Sequence, residues 1–441
     1  MTSLDVLLHA HLAVIGGEVR AASVGVADGV IAVIDPEPGA YRVDRDVVLA
    51  DNVVLLPGLV DTHVHVDEPG TDWEGFASAT AAASAGGVTA LVDMPLDSDP
   101  VTTSVAALES KWAAAQGNCR IDVGFWGGVV PGNVEKPEVL ADLLAAGCQG
   151  FKCFLSASGN PAFPPLSAAE FHRAMATVAD LDTVMLVHAE SDDVIAESPP
   201  VKGDSYASFL DSRPDAAEMQ AVALVIDTVR DTGARAHIVH VSSAGSLPLI
   251  AEAKRAGLPV TAETCPHYLV FSADAIADGR TEFAACPPIR GEDNREQLWA
   301  GLCDGVLDLI VSDHSPCAPQ HKGSGDFGVA FGGISSVQLG LRAIWTQALL
   351  RGVTLAQVCR WMAENPAMLA GFTDRGRIAV GARADFVVFD PHACGRVDAT
   401  QLLHRHPLTP YDGLELRGAV LQTWLAGQVV DDENRGQLVH A

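Results

Sequence analysis

Residues Leu55 to Gly70 read LLPGLVDTHVHVDEPG, and the fold turns on them. An apolar run leads into His63 and His65, which lie two positions apart, the period at which a strand sends side chains to one face. A buried strand built from this segment carries both imidazoles to its carboxyl end, where parallel α/β folds collect their chemistry. Two imidazoles on one face are the beginning of a divalent metal site. The spacing alone is common, because His9 with His11 in LHAHL and His404 with His406 in LHRHP share it. A doublet without further donors reads as a surface or packing feature, so the first pair gains meaning only from its company.

Apolar, β-branched runs alternate with alanine-rich stretches through the middle of the chain, the pattern of parallel βα units. Eight runs qualify: LVDTHVHV from Leu59, TALVDMP from Thr89, DVGFWGGV from Asp122, GFKCFLS from Gly150, TVMLVHAE from Thr183, RAHIVHVSS from Arg235, PVTAETCPHYL from Pro259 and DLIVSDHSP from Asp308. Stretches such as EGFASATAAASAGG, PDAAEMQAVALVIDTVRDTG and REQLWAGLCDG fall between them and end near glycine, as helices do. Eight strands with crossover helices predict an α/β chain with a (β/α)8 TIM-type barrel over residues 57–374. Residues 1–56 and 375–441 contain short strands and turns, VGVADGVIAVI, RADFVVFDP and VLQTWLAGQVV among them, and predict a small β-sandwich domain assembled from both ends.

At 441 residues the chain is long enough for one large core and a smaller one. No apolar stretch approaches the roughly 20 residues that span a bilayer, and the start lacks the basic segment and long apolar centre of a secretory signal. A cytoplasmic protein without a membrane partner is expected. The nine cysteines are scattered without a Cys-x-x-Cys pair, which fits reduced thiols and gives no support to a zinc knuckle or a thioredoxin-like redox site. A net charge of -28 repels phosphate backbones, so nucleic-acid partners are not expected either.

Polar residues within the apolar strands locate the chemistry. His63 and His65 end the first predicted strand, Lys152 lies in the fourth, His188 and His240 end the fifth and sixth, and Asp313 ends the eighth. In a barrel these converge on one mouth, where burying four histidines, a lysine and an aspartate without partners is costly and two metal ions would satisfy them all. An ammonium cannot bind a cation. Carbon dioxide added to the neutral amine of Lys152 gives a carbamate able to bridge two metals, whereas an unmodified lysine would snorkel from a strand end or pair with an acid. His188 or His240 taken singly reads as a satisfied core histidine. His237, three positions before His240, faces the other way and reads as structural, while His267 and His314 sit where they would orient ligands or substrate.

In this order the segments PGLVDTHVH, GFKCF, LVHAE, HIVHVSS, ETCPHYL, CPPIR and VSDHSP resemble the cyclic amidohydrolases, the family of dihydroorotases, hydantoinases or dihydropyrimidinases, and allantoinases, over essentially the whole chain. The resemblance implies a metal-dependent barrel with a β-sandwich domain, a small-molecule cyclic ureide substrate, and a homo-oligomer, commonly a tetramer. It implies two divalent ions, zinc foremost, with iron, cobalt or manganese also suited to the mixed donors. His63, His65 and Asp313 would hold one, His188 and His240 the other, and Lys152, as N6-carboxylysine, would span both. A hydroxide between the ions would attack a ring amide carbonyl, with Asp313 as general base and then general acid.

Dihydroorotases place an arginine before the Glu-Pro-Gly and an asparagine after the Met-Pro to hold the substrate carboxylate; this chain has Asp67 and Leu96 there, and the aspartate repels such a substrate. Hydantoinases usually place a tyrosine five residues beyond the lysine, where this chain has Ala157. The segments EPGTDWEGF from Glu68, DMPLDSDP from Asp93 and VAFGGISSVQ from Val329 resemble the allantoinase branch, which implies hydrolysis of allantoin to allantoate. A hydantoinase/dihydropyrimidinase-type cyclic imide hydrolase is the enzymatic alternative. Non-catalytic assembly relatives lose metal ligands, and here all six positions are filled. Cys286 and Phe331 align with residues that touch the substrate ring mainly through their backbone.

Overall fold

A computed structural model describes residues 3–440. Five strands precede the barrel: β1 (Ser3–Ile15), β2 (Glu18–Ala27), β3 (Val30–Ile34), β4 (Arg42–Val48) and β5 (Val54–Pro57). The barrel strands are β6 (Leu59–Val64), β7 (Val88–Asp93), β8 (Asp122–Phe125), β9 (Gly127–Gly128), β10 (Phe151–Phe154), β11 (Val184–His188), β12 (Arg235–Ile238), β13 (Val260–Thr264) and β14 (Leu309–Ile310). Three more follow, β15 (Phe386–Arg396), β16 (Glu415–Leu425) and β17 (Gln428–Val429).

The barrel strands are parallel throughout, in two ladders, β6-β7-β8 and β9-β10-β11-β12-β13-β14. The third predicted strand is broken into β8 and β9 by Trp126, whose ring is fully buried and whose Nε1 donates to the Thr62 carbonyl at 2.8 Å. That short break joins the two ladders on one side. On the other, the barrel closes where His65 N donates to the His314 carbonyl at 2.8 Å and Val64 pairs with His314. Each strand is followed by a helix: Phe76–Ala85, Val105–Ala115, Pro137–Ala145, Ala168–Asp180, Asp215–Thr232, Leu247–Arg255, Glu292–Cys303 and Gly340–Leu350. Local sequence sets their ends, as in the Ser167/Glu170 capping box and Gly233 in the left-handed conformation after Thr232.

Alternation along the strands sorts the side chains between two cores. Phe151 and Cys153 of β10, with Met185 and Val187 of β11, join the layer between strands and helices. Phe154, Val184 and Leu186 fall in the cluster that contains Val60, Ala90, Val92, Trp126 and Val239. Lys152 and His188 share the parity of this second set, so the period of two that packs the barrel also carries its ligand-type side chains inward.

β1 to β5 and β15 to β17 form one eight-stranded sheet from both chain ends, curled over Val6, Leu8, Val24, Ile31, Leu55, Phe386, Val388 and Trp424. Gly58 is the joint between this sheet and β6: a Cβ there would lie 2.4 Å from Thr89 Oγ1, so only glycine lets the strands pass. Beyond β17 the chain leaves the sheet and runs back along the barrel, where Gln437 N–H donates to Asp122 and Val439 N–H to the Val123 carbonyl. The loop 397–414 also packs on the barrel, through Val397 and Tyr411. No described helix is long and apolar enough to cross a membrane.

Candidate active site

A cavity of about 390 Å³, within the range of small-molecule sites, opens at the carboxyl ends of the barrel strands. Its wall brings together His63, His65, Lys152, His188, His240 and Asp313, along with Cys286 and Phe331. The strand ends are shorter than the sequence implies. β12 stops at Ile238 and β14 at Ile310, and His240 and Asp313 stand just beyond them with φ of 39° and 45°. Left-handed backbone costs non-glycine residues about 1–3 kcal/mol and gathers where geometry serves a site; Asp67, with φ 61°, is a third case on the same wall.

Three of the four imidazoles have a proton placed by a fixed acceptor. His63 Nδ1 is 2.5 Å from Glu263 Oε1, His65 Nδ1 is 2.7 Å from the Leu96 carbonyl, and His188 Nε2 is 2.8 Å from Glu190 Oε2. Donation there leaves the opposite nitrogens with free lone pairs. His63 Nε2 lies 3.1 Å and His65 Nε2 3.8 Å from Asp313 Oδ1, and the His63 nitrogen has no hydrogen-bond alignment to it. Two acceptors that approach without a shared proton are aimed at a common third point. On the facing side His188 Nδ1 and His240 Nε2 are 2.9 Å apart. Burial pushes His188 down to about 4, and pushes His65 and His240 well below the usual histidine range, so these rings are neutral near pH 7 and able to ligate.

Lys152 stands out among three buried lysines. The Lys111 ammonium is paired with Asp93 and donates to the Met94 carbonyl, and Lys322 donates to the carbonyls of Ala284, Phe331 and Gly333. Lys152 Nζ is fully buried with no hydrogen-bond partner, above the Phe154 ring at 4.6 Å. Burial pushes it down to about 8, which leaves an appreciable fraction as free amine. A lone buried ammonium is costly; a carbamate between two cations is not. The orphaned Lys152, the unpartnered nitrogens of His63 and His240, and the mixed imidazole and carboxylate donors together fit a pair of divalent ions. His63, His65 and Asp313 come close enough for one ion among them.

Glu190 and Glu263 were not singled out in the sequence. Burial opposes ionisation of Glu263, but His63 and His237 outweigh it and hold the carboxyl at about 2; Arg213 and then His188 do the same for Glu190. Their signal lay in LVHAE and TAETC, where an acid inside an apolar strand needs a buried partner. His237 bonds Thr261 Oγ1 at 2.7 Å and Glu263 Oε2 at 2.9 Å, bracing the carboxylate that orients His63. His314 faces away from the cavity, with Nε2 3.2 Å from Glu74 and Nδ1 accepting from Ser336 N–H. His267 is buried with neither nitrogen partnered. His9 and His11 pair with Asp46 and Asp51 on the outer sheet, whereas His404 is buried beside His314.

The rest of the cavity wall includes Asp67, Trp73, Leu96, Asp97, Ala157, Arg213, Cys286 and Phe331. Arg213 is held by Glu190 at 2.5 Å. Burial, then Asp97, pushes Asp67 well above the carboxylate range. Phe331 spends its N–H on the His321 carbonyl and its C=O on Lys322, so its ring, edge-on to Trp73 at 4.8 Å, is the part left to face a ligand. Cys286 makes no such commitment.

The amidohydrolase family model matches residues 54–430. The chain is 46% identical to an allantoinase of Streptomyces avermitilis over 97% of its length and 96% of that protein. It is 44% identical to an allantoinase of Saccharomyces cerevisiae, covering 85% and 82%, and 42% identical to one of Arabidopsis thaliana, covering 94% and 85%. An L-hydantoinase (dihydropyrimidinase) from Arthrobacter aurescens superposes with a TM-score of 0.92 at 27% identity, over 99% of this chain and all of that one.

Proposed function

The chain belongs to the amidohydrolase family, and from that premise we propose that it hydrolyses the hydantoin ring amide of allantoin to give allantoate. It is a hydrolase acting on a cyclic amide. The observation that carries the reading is the convergence of four imidazoles, an unpartnered Lys152 and Asp313 on one cavity, in a chain whose similarity to allantoinases spans nearly its full length.

His63, His65 and Asp313 would hold one divalent ion, His188 and His240 the second, and Lys152, carboxylated by carbon dioxide, both. When bound, the ions acidify a water and polarise the ring carbonyl. The protein supplies the rest. Asp313, pushed up by burial, takes a proton from the attacking water on its carboxylate and returns it to the departing ring nitrogen. Glu263, Glu190 and the Leu96 carbonyl keep the imidazole lone pairs aimed. Ala157 leaves the oxyanion without a phenol, so no side chain of that loop competes for it. Asp67 and Leu96 offer no cation or amide to hold the carboxylate of an anionic ring, and Cys286 and Phe331 form the wall over the substrate. Zinc suits the donors, and the nine unpaired cysteines favour a reducing compartment such as the cytoplasm; a tetramer is the assembly we expect.

The test is elemental analysis with a panel of allantoin, hydantoin, dihydrouracil and dihydroorotate. Two equivalents of metal and the highest kcat/KM on allantoin are expected. Faster turnover of dihydroorotate would overturn the role given to Asp67, and faster turnover of hydantoin or dihydrouracil the choice of allantoin.

A further inference from the structure

The loop after β13 places a second set of donors behind the first. Cys265 follows the last residue of β13, and His267 lies in the short helix Pro266–Val270. One ligand atom from each of Cys265, His267 and Asp313 lies within 4.8 Å of the others. Ions with bonds of about 2.0 to 2.3 Å to nitrogen, oxygen and sulfur span such a triangle after small side-chain rotations. Cys265 and His267 are fully buried, and of the three only Asp313 lines the cavity.

His267 supplies an independent reason to expect a ligand. Both of its nitrogens are buried without a partner, although an imidazole has one donor and one acceptor to satisfy and buried polar groups almost always find partners. His237 and His314, in the same barrel, are paired on both nitrogens. A cation beside His267 would use one of the two. The charges also match: a thiolate and a carboxylate balance a dication around a neutral imidazole, and the sulfur favours zinc or cadmium over manganese or magnesium.

We propose that Cys265, His267 and Asp313 form a third metal site, selective for thiophilic divalent cations, whose occupation draws Asp313 away from the reaction and inhibits the enzyme. On binding, the Cys265 thiol releases its proton to solvent and its sulfur joins the ion; no electron is transferred. The inhibitory half rests on the role given to Asp313 under the proposed function, whereas the binding half does not.

Cobalt(II) added to the holoenzyme with its resident metals tests both halves, because a thiolate bound to cobalt gives a near-ultraviolet charge-transfer band that imidazole and carboxylate ligands do not. The band is expected to saturate at one further equivalent, to bleach on addition of zinc, and to track an activity loss of about 100-fold, the scale of a lost general base. Cys265→Ser is expected to abolish the band and the inhibition while keeping activity without excess metal, and His267→Gln to weaken cobalt binding. Cys286→Ser, at the other thiol on the cavity wall, is expected to keep the band. Absence of the band from the unaltered protein, or its persistence in Cys265→Ser, overturns the site. A band without inhibition overturns the regulation. Failure to hydrolyse any ureide with the band intact would instead refute the proposed function.

Discussion

Glu263→Gln isolates the contribution of one buried carboxylate to the metal centre. Glu263 Oε1 is 2.5 Å from His63 Nδ1 and 3.3 Å from the His240 backbone nitrogen, and Oε2 is 2.9 Å from His237 Nε2. Glutamine keeps the shape but has a single acceptor oxygen, so its amide nitrogen must meet an N–H. If it turns toward His63, that ring must move its proton to Nε2 and close the lone pair facing Asp313. If it turns toward His237, that ring moves its proton to Nδ1, against Thr261 Oγ1, and the His63 N–H then meets a neutral amide oxygen in place of a carboxylate. A hydrogen bond to an ionised group is worth about 1.5–3 kcal/mol, so metal binding should weaken by about 2 kcal/mol, or about 30-fold, as is typical of groups that orient metal-bound histidines. The assay is metal retained after dialysis against graded chelator, read beside kcat/KM and circular dichroism. A correctly folded variant that keeps its metal at the same chelator concentrations as the parent, with the parent kcat, would refute this account of how His63 is held.

Lys152→Ala should lose metal and turnover, with part of both restored by acetate or propionate standing in for the carbamate; full activity without the acid would rule out the bridge. In the metal-free protein His188 and His404 ionise near 4 and His267 near 3, against 6.5 for free imidazole, so on acidification the unfolded chain takes up protons first. Stability should therefore fall between about pH 6.5 and pH 4, by up to about 3 kcal/mol per histidine, and calorimetry showing a flat melting temperature across that window would contradict the burial of these rings. Lys322→Met removes the ammonium that ties loop 319–333 to Ala284; KM should rise several-fold with a smaller change in kcat, and the loop should become sensitive to protease. An unchanged KM would mean that the loop holds its position without the lysine.

The barrel could be read from the chain because its strands carry two independent signals, β-branched apolar runs and polar residues at their carboxyl ends. The eight predicted starts fall within one residue of the observed ones. What could not be read was set by long-range pairing. Trp126 breaks the third strand because its indole finds an acceptor at Thr62, 64 residues earlier. The last residues of the chain look like an extension of the outer sheet, yet they bond to Asp122 and Val123, more than 300 positions away. His240 and Asp313 were placed on strands from the pattern of their neighbours, while their left-handed backbone reflects the site they serve. Glu190 and Glu263 were visible only as acids in apolar surroundings, and their partners had to be seen in space.

Those acids also explain why the rim tolerates so much buried polarity. A carboxylate taken out of water with no partner is expensive, and a neutral imidazole with an unpaired nitrogen is less so. Glu263 shares its charge with His63 and His237, and Glu190 shares its charge with His188 and Arg213, so each acid is compensated within the protein alone. Among the six ligand-type residues, the unmatched atoms are Lys152 Nζ, His240 Nδ1 and His63 Nε2. Most of this lattice of acids and imidazoles is thus complete before any ion arrives, and part of the residual cost lies on residues that line the cavity. Cation binding then relieves that cost while leaving the lattice in place, which couples metal affinity to the stability of the strand ends and requires the two to fall together in Glu263→Gln.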